Sequence, residues 1–272
     1  WEPAPMVVPV SERLRALVVR SVLPGPDAAR LLVSLVAPGA ATMEQVEHLY
    51  AGLEAGFIFT AFNMDFPDFG NNPDPERERR NKALRCAIIK GYDWQGRNES
   101  WYNGLGQVFP GIILTASPEF DPAQSRASVT RDVAGARKIL RDAGWTPENL
   151  PKLVYGTTSG TTERLNFEQF RAWMRDIGFP REKVVQKTYA TFGDISRAWK
   201  RNQLPLVAKG WGLDYPDAEN TLQLFYGPNG SPGSNDANWK DPEFDQLYEQ
   251  AAVMQPSEER TRLYRRMNQI VI

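Results

Sequence analysis

The sequence predicts an α/β fold in which helices flank a mostly parallel sheet. The main observation is that short β-prone apolar segments alternate with amphipathic helical segments over residues 152–209. Two consecutive strand–helix–strand units of this kind imply parallel strands joined by right-handed crossovers. A further strand signal lies at 57–62, and additional helical patterns lie on both sides of the alternating region.

The composition excludes several classes of protein. Of the 272 residues, 42% are hydrophobic and 24% charged, as in ordinary globular proteins. Basic and acidic residues number 32 and 33, so no strong field of one sign attracts nucleic acid or an anionic membrane surface. Cys86 and His48 are the only cysteine and histidine, which argues against a His/Cys zinc site or a Ser-His-Asp triad. No metal or other cofactor is expected.

The two ends predict that the sequence is a fragment of a longer chain. It begins at Trp1 without Met or a signal peptide, and it stops within a helical pattern at Ile272. The length alone predicts roughly one or two domains. No apolar run approaches the roughly 20 residues that cross a bilayer.

The N-terminal part contains weaker signals than the rest. Helices are predicted over 28–36 and 43–53, before the first strand. An Asp-, Asn- and Pro-rich loop follows that strand over 65–75, and because its acids lack EF-hand spacing, a surface connection is expected. A helix is then predicted over 79–92, while the segment 98–117, rich in Gly, Trp and Pro, is predicted to be irregular.

The remainder of the chain contains clearer element signals. A helix is expected between Thr130 as N-cap and Gly144 as the glycine after its last turn. The alternating strands and helices that follow are predicted at 152–158, 163–177, 184–189, 194–202 and 206–209. Two last helices begin after the Asp241-Pro242 pair and after Ser257.

A candidate ligand site follows from the parallel strands. Their carboxyl ends meet at one edge, and open α/β sheets bind ligands beyond that edge. Gly210 is expected to end the last strand, so that an indole and a carboxylate follow it in a loop. An aromatic surface with a few fixed polar groups is what a small-molecule pocket needs. The candidate residues of these loops are Thr158, Ser159, Trp211, Gly212, Asp214 and Tyr215.

Several motifs occur together in the order that one known family has them. They are FIFTAFNMDFPDFG with LRCAIIKGYD, DVAGARKILRDAGW, GWGLDYPDAEN, and DPEFDQLYEQA with SEERTRLYRRMNQIV. The third resembles a Gly-Trp-x-x-Asp-Tyr-Pro-Asp signature, and the last two resemble a penultimate helix pair. Together they resemble the family 5 extracellular solute-binding proteins of bacterial peptide-type ABC importers, most closely from about residue 55 onward.

The resemblance implies a periplasmic-binding-protein fold of type II, with two lobes that close on a ligand by a hinge. Residues 1–62 would hold the C-terminal part of lobe I and the hinge strand, and 63–272 would form lobe II. The signature aspartate of peptide-binding relatives pairs with the α-amino group of the ligand, which implies that role for Asp214. Trp211 would line the pocket, and Asn63 would stand at the end of the crossover strand.

The function implied is binding and not catalysis. The chain would belong to a monomeric, periplasmic or otherwise extracytoplasmic protein that captures a small ligand, here a peptide, and delivers it to a membrane permease. Ala218 stands where the family commonly has proline and Thr221 where it has Phe. These departures leave open peptides, nickel chelates, opines and oligosaccharides as ligands.

Two other hypotheses follow from the residues. A glycoside hydrolase would use two of Asp214, Asp217 and Glu219 as its paired carboxylates. Against this, Asp217 and Glu219 follow Pro216 at a predicted helix start, where acids cap the helix. The other hypothesis is a module that, as half of a two-lobed protein, binds its ligand far more weakly than the whole.

Overall fold

The computed structural model describes residues 56–272. The helices predicted over 28–36 and 43–53, together with His48, lie outside this part. The chain divides into two compact units, the larger of which comprises Ala55–Trp94 and Val108–Ile272. The described part of the smaller unit is Gln95–Gln107.

A four-stranded sheet lies in the larger unit. In chain order its strands are β1 (Gly56–Phe62), β2 (Leu153–Thr158), β3 (Val184–Tyr189) and β4 (Leu206–Gly212). They are arranged in the order β1, β4, β2, β3. β2 is parallel to both β3 and β4, whereas β1 is antiparallel to β4. The predicted α/β class with a mostly parallel sheet is therefore confirmed.

Helices occupy about half of the other residues in the range 56–272. The α-helices are α1 (Pro75–Gly91), α2 (Trp94–Tyr102), α3 (Val133–Asp142), α4 (Thr161–Ile177), α5 (Phe192–Lys200), α6 (Glu219–Leu222), α7 (Pro242–Ala252) and α8 (Glu258–Val271). Short 3₁₀ turns lie at Arg181–Lys183, Gln223–Phe225 and Gly227–Asn229. The β2–α4–β3–α5–β4 succession matches the predicted alternation, with the strand starts within one residue and the helix starts within two.

Several predicted boundaries were wrong, for local reasons. α1 begins four residues before the predicted start because Asp74 caps it, accepting from the backbone N–H of Glu76 at 2.9 Å, with Pro75 in the first turn. Asp132, and not Thr130, caps α3, with its carboxylate accepting from Gly135 N at 2.8 Å.

Residues 98–102, predicted to be irregular, are helical in α2. The six residues between Trp94 and Trp101 are all polar or glycine, so this helix shows no apolar period in the sequence. Asn98 joins the helix to the chain beyond it, since its Nδ2 donates to Gly106 O at 2.8 Å and its Oδ1 accepts from Gly106 N at 2.9 Å. The missing apolar stripe explains the error.

β4 is longer than predicted, because Gly210 does not end it. Gly210 pairs with Ile58, and Trp211 pairs with Phe57. A glycine weakens an isolated strand, but the antiparallel partner β1 supplies hydrogen bonds as far as Gly212. Trp211 and Gly212 thus lie in a strand and not in the loop where they were expected.

Three apolar cores hold the larger unit together. The first lies where α1, α3 and α4 pack with β2, and includes Phe170 and Met174. The second joins the segment 218–222 to α7 and α8 through Phe244, Tyr264 and Met267. The third packs α5 on β1 and β4 around Trp199, which is fully buried.

Candidate functional site

β4 projects beyond the other parallel strands. Gly156 of β2 pairs with Val207 of β4, so Thr158 at the end of β2 is level with Lys209. β4 then continues for three residues to Gly212, about 10 Å at the usual rise of a strand. The carboxyl ends of β2, β3 and β4 point to one edge, as predicted, but β4 extends farther out than the ends of β2 and β3.

A turn at the end of β4 presents the candidate carboxylate to solvent. We call Gly212–Pro216 the tip. Asp214 is exposed, and it forms no ion pair or hydrogen bond with any other residue of 56–272. The neighbouring Tyr215 is 44% exposed, and its hydroxyl donates to the Glu219 carboxylate. The pKa of Tyr215 is raised above its usual value, chiefly by this hydrogen bond.

The side chain of Trp211, the residue just before the tip, is held by a hydrogen bond. Its ring is half-buried, and the indole Nε1–H donates to Asn220 Oδ1 at 2.8 Å. Phe57, opposite Trp211 in β1, stacks on Phe59 with ring centroids 5.2 Å apart. An aromatic surface therefore accompanies the exposed carboxylate.

The residues that follow the tip are held in the second core. We call Asp217–Leu222 the anchor. Asp217 forms an ion pair with Arg260 of α8, and its Oδ1 accepts from Glu219 N at 2.9 Å. Arg260 is 8% exposed and donates from Nε to the Tyr264 hydroxyl at 2.9 Å. The N-cap residue of α6 is Ala218, which provides no side-chain hydrogen bond, so the expectation that Asp217 caps this helix is wrong for the N-cap position. Asp217 instead binds the N–H of Glu219 from one residue farther away.

Glu219 is also engaged. Its two carboxylate oxygens accept from the hydroxyls of Tyr215 and Tyr248. Burial, followed by the hydrogen bond to Glu219, raises the pKa of Tyr248 well above its usual range. The backbone of the anchor is equally enclosed, since Ala218, Thr221 and Leu222 are essentially inaccessible to solvent. Of the three acids Asp214, Asp217 and Glu219, Asp214 alone has no hydrogen-bond or ion-pair partner among the residues that the structure describes.

The other candidate residues have different environments. Asn63 is 1% exposed and braces the end of β1, donating from Nδ2 to Trp199 O at 3.2 Å and accepting at Oδ1 from Asp65 N at 3.1 Å. Thr158 is half-buried and Ser159 exposed at the β2–α4 connection. A role for these three residues in ligand contact stays a prediction.

Sequence reasoning missed the partners that hold the anchor. Arg260 lies 43 residues after Asp217, and Tyr248 lies 29 residues after Glu219. Asn220 is the last residue of the GWGLDYPDAEN motif, and no role was predicted for it. It is fully buried and hydrogen-bonded to Trp211. Its proximity to Trp211, nine residues away, was the one available signal.

Two further properties bear on the site. Within 56–272, no three His, Cys, Asp or Glu side chains are grouped so that they could hold a metal ion. No helix in the same range combines the length and apolar character that a membrane span requires.

Comparison with known families identifies the class of protein. The model of the bacterial extracellular solute-binding proteins, family 5 (middle region), matches residues 27–233, about three quarters of the chain. The chain therefore belongs to family 5 of the bacterial extracellular solute-binding proteins. The predicted membership is confirmed.

The relatives bind different ligands according to their names. The chain is 26% identical over 136 residues to the periplasmic oligopeptide-binding protein OppA of Escherichia coli, covering 49% of this chain and 24% of OppA. It is 26% identical over 252 residues to heme-binding protein A of Haemophilus influenzae, covering 90% of this chain and 41% of that protein. The chain thus spans less than half the length of either relative.

A solved structure shows the same fold. The periplasmic binding protein DppA from Helicobacter pylori, in complex with the peptide STSA, matches with a TM-score of 0.66 and 20% identity. The match covers 96% of this chain and 47% of DppA. The predicted periplasmic-binding-protein fold of type II is confirmed. An identity this low supports the fold alone.

Proposed function

We propose that this chain is part of the substrate-binding component of an ABC importer, and that it captures a peptide through the ligand's terminal ammonium group. The protein works outside the cytoplasm and delivers its ligand to a membrane permease. Asp214 is the ligand's anionic partner, while Trp211 and Tyr215 provide the aromatic surface beside it. Gly212, Thr158 and Ser159 belong to the same carboxyl-terminal edge of the parallel strands. Asn63 supports the end of β1.

One observation carries this proposal: Asp214 is the signature acid that is exposed and unengaged, while Asp217 and Glu219 are held by Arg260 and by tyrosines. A carboxylate forms a charge-assisted hydrogen bond with an ammonium group, and this bond is stronger than a neutral one. The half-buried indole of Trp211 adds apolar contact area. These features suit a ligand with a cationic end and an apolar body.

A peptide suits the site better than the other ligand classes that the family resemblance leaves open. A peptide ends in an ammonium group that can bind a single carboxylate such as Asp214. Oligosaccharides and opines have no ammonium group at a chain end. The heme-binding relative shows that the family admits other ligands. The ligand class is therefore tested directly, by removing the ammonium group.

The test compares tri-alanine with its N-acetylated form by isothermal titration calorimetry, using the complete natural chain. N-acetylation removes the charge, and we expect it to weaken binding by about tenfold to a hundredfold, the usual value of a hydrogen bond to a charged group. Asp214→Asn should weaken tri-alanine binding to the same degree and should make the two peptides nearly equivalent. Unchanged tri-alanine affinity in Asp214→Asn would remove Asp214 from the site.

Glu182→Gln provides the matched control. Glu182 is an exposed acid in the 3₁₀ turn before β3, at the amino end of the parallel strands and therefore opposite the candidate edge. The same change of charge there should leave the affinity for both peptides unchanged. Loss of binding in both variants would indicate a long-range effect of net charge instead of a contact.

The hydrolase alternative finds little support in the site. A pair of catalytic carboxylates needs two acids that face the substrate, whereas Asp217 and Glu219 each have protein partners in the structure. Incubation of the purified protein with a panel of aryl glycosides tests this alternative. Turnover that disappears in Asp217→Asn or Glu219→Gln would establish it.

A further inference from the structure

We propose that Asn220 is a positioning residue of the candidate site, which sets the orientation of Trp211 with its Oδ1 and that of Tyr215 with its Nδ2. The two aromatic side chains on either side of Asp214 along the chain would then be held by one buried amide. This inference rests on the proposed function, because it concerns how the same site is organised.

The first step is the contact with the indole. An indole N–H can only donate, so the atom of Asn220 that lies 2.8 Å from Trp211 Nε1 must be its oxygen. Asn220 is 0% exposed and lies in α6, within the anchor. The contact therefore joins an aromatic ring of the projecting strand to the best-enclosed part of the segment.

The second step concerns the other end of the amide. With its oxygen fixed by Trp211, Asn220 must direct Nδ2 away from the indole, and this buried nitrogen has no hydrogen-bond partner among residues 56–272. Buried polar atoms without partners are rare in folded proteins, and each one calls for an explanation. A leucine or an aspartate at position 220 would leave no unpaired donor. The presence of an amide therefore indicates that both its oxygen and its nitrogen form hydrogen bonds.

The Tyr215 oxygen is the acceptor that we assign to Nδ2, because the Tyr215 hydroxyl is held at the carboxylate of Glu219, the residue next to Asn220 in α6. The pKa of Tyr215 is raised first by its hydrogen bond to Glu219 and then by burial, while the Asn220 side chain acts in the opposite direction. A donor favours the phenolate only when it lies near the phenol oxygen. With this bond, a chain would run from the Trp211 indole through Asn220 and Tyr215 to Glu219, and Tyr248 donates to the second oxygen of Glu219.

This arrangement has a consequence for Asp214. The hydroxyl hydrogen of Tyr215 is directed to Glu219, and a donor at the phenol oxygen keeps it there. The phenol then does not donate to the neighbouring Asp214, whose carboxylate stays available to a ligand. Asn220 thereby influences ligand binding without touching the ligand.

The direct test is hydrogen exchange of the Trp211 indole N–H, measured by nuclear magnetic resonance with ¹⁵N-labelled tryptophan. The resonance is assigned by its absence in Trp211→Phe. We expect Asn220→Leu to accelerate this exchange by about tenfold, because the buried oxygen that accepts the proton is removed. Asn220→Asp keeps an acceptor and should retain the slow exchange. Exchange that is unchanged in Asn220→Leu would overturn the proposal.

Asn235→Leu is the control for general loss of packing. Asn235 is also 0% exposed, and it donates from Nδ2 to Tyr226 O at 3.0 Å and to Trp239 O at 2.7 Å, so it has a structural role in the loop before α7. This variant should lower the melting temperature but leave the Trp211 exchange rate unchanged. Equal acceleration in both leucine variants would overturn the positioning role.

A second measurement uses tri-alanine affinity. Asn220→Leu should weaken binding by about tenfold in the wild-type background and by less than about twofold when Trp211→Phe and Tyr215→Phe are already present, because coupled residues are not additive. An equal loss in both backgrounds would contradict action through the two aromatic residues. If the wild-type protein binds no tri-alanine, the proposed peptide function fails, whereas the exchange measurement still decides the role of Asn220.

Discussion

The tip and the anchor are consecutive in sequence and both contain acidic residues, yet their environments are opposite. The tip, Gly212–Pro216, is largely exposed and contains the unengaged Asp214. The anchor, Asp217–Leu222, has its acids paired with Arg260 and Tyr248 and its apolar residues in a core with α7 and α8. Whether a carboxylate in this segment is paired or available to a ligand therefore depends on side chains from helices that are distant in sequence.

The same comparison explains how an exposed site can be precise. A binding group on a free loop is poorly positioned, whereas one whose supporting residues are locked by packing is pre-organised. The tip is held on one side by the β1–β4 pairing and on the other by the anchor. Only the four residues 213–216 lie between these two supports, which limits the positions available to Asp214.

The largest effect is expected from breaking the ion pair of the anchor. Arg260→Met removes the partner of Asp217 and the hydrogen bond to Tyr264 in a site where Arg260 is 8% exposed. We expect the free energy of unfolding to fall by about 2 to 3 kcal/mol, because a partly buried carboxylate is left unpaired. Urea denaturation followed by circular dichroism measures the change.

Arg266→Met is the matched control on the same helix. Its partner is Glu243, and both side chains of that pair are about half exposed, at 52% and 53%. A surface pair of this kind contributes at most about 1 kcal/mol. An equal loss of unfolding free energy in the two variants would show that the ion pair of the anchor contributes no more than a surface pair. The proposed difference between the anchor and the tip would then be wrong.

The sequence predicted the fold well because its signals are local. Strand and helix periodicities, Gly178 after α4, and the Asp241 and Ser257 caps each depend on a few adjacent residues. The extension of β4 was missed because it depends on β1, which lies some 150 residues earlier. Local propensity disfavours a strand at Gly210, and pairing with a distant strand overrides it.

The site was predictable to a similar extent. Trp211 and Asp214 are candidates because they were expected just past a buried strand, at the edge where parallel sheets bind ligands, although Trp211 lies within that strand. The sequence alone could not establish that Asp217 and Glu219 are engaged, because Arg260 and Tyr248 come from helices whose packing is a tertiary property. The environment of Asn63 likewise depends on distant residues, since its Nδ2 donates to Trp199 O and to Asn202 Oδ1, which lie 136 and 139 residues later.

Alkaline pH should weaken the anchor next. Burial raises the pKa of Tyr264 to about 12, from 10.0 in an unperturbed tyrosine, and burial also raises the pKa of Tyr248. The folded state therefore holds these protons more tightly than the unfolded chain. The free energy of unfolding should be unaffected by them below pH 10, and above it should decline by at most about 1.4 kcal/mol per pH unit for each tyrosine. The contribution of Tyr264 levels off above pH 12.

Tyr264→Phe separates this effect from general alkaline damage. The variant loses the hydroxyl that accepts from Arg260, so its stability at neutral pH should also be lower. The informative quantity is the slope of unfolding free energy against pH between pH 10 and 12, which should be shallower than in the wild type. Identical slopes in urea titrations of the two proteins would show that the folded state does not protect this phenol.

The smallest effect, and the sharpest contrast, is expected at the glycine pair where β4 enters the tip. Gly212 and Gly56 are directly opposite in the β1–β4 register. A Cβ added at Gly212 meets nothing within 4 Å, whereas one added at Gly56 lies 3.1 Å from the Trp211 carbonyl oxygen. Gly212→Ala should therefore change the unfolding free energy by less than about 0.5 kcal/mol, as ordinary surface substitutions do, and Gly56→Ala should cost more. Thermal denaturation of the two variants in parallel measures the difference. A larger cost at Gly212 would mean that the tip is enclosed, and an enclosed Asp214 would lose the exposure on which the proposed ligand contact depends.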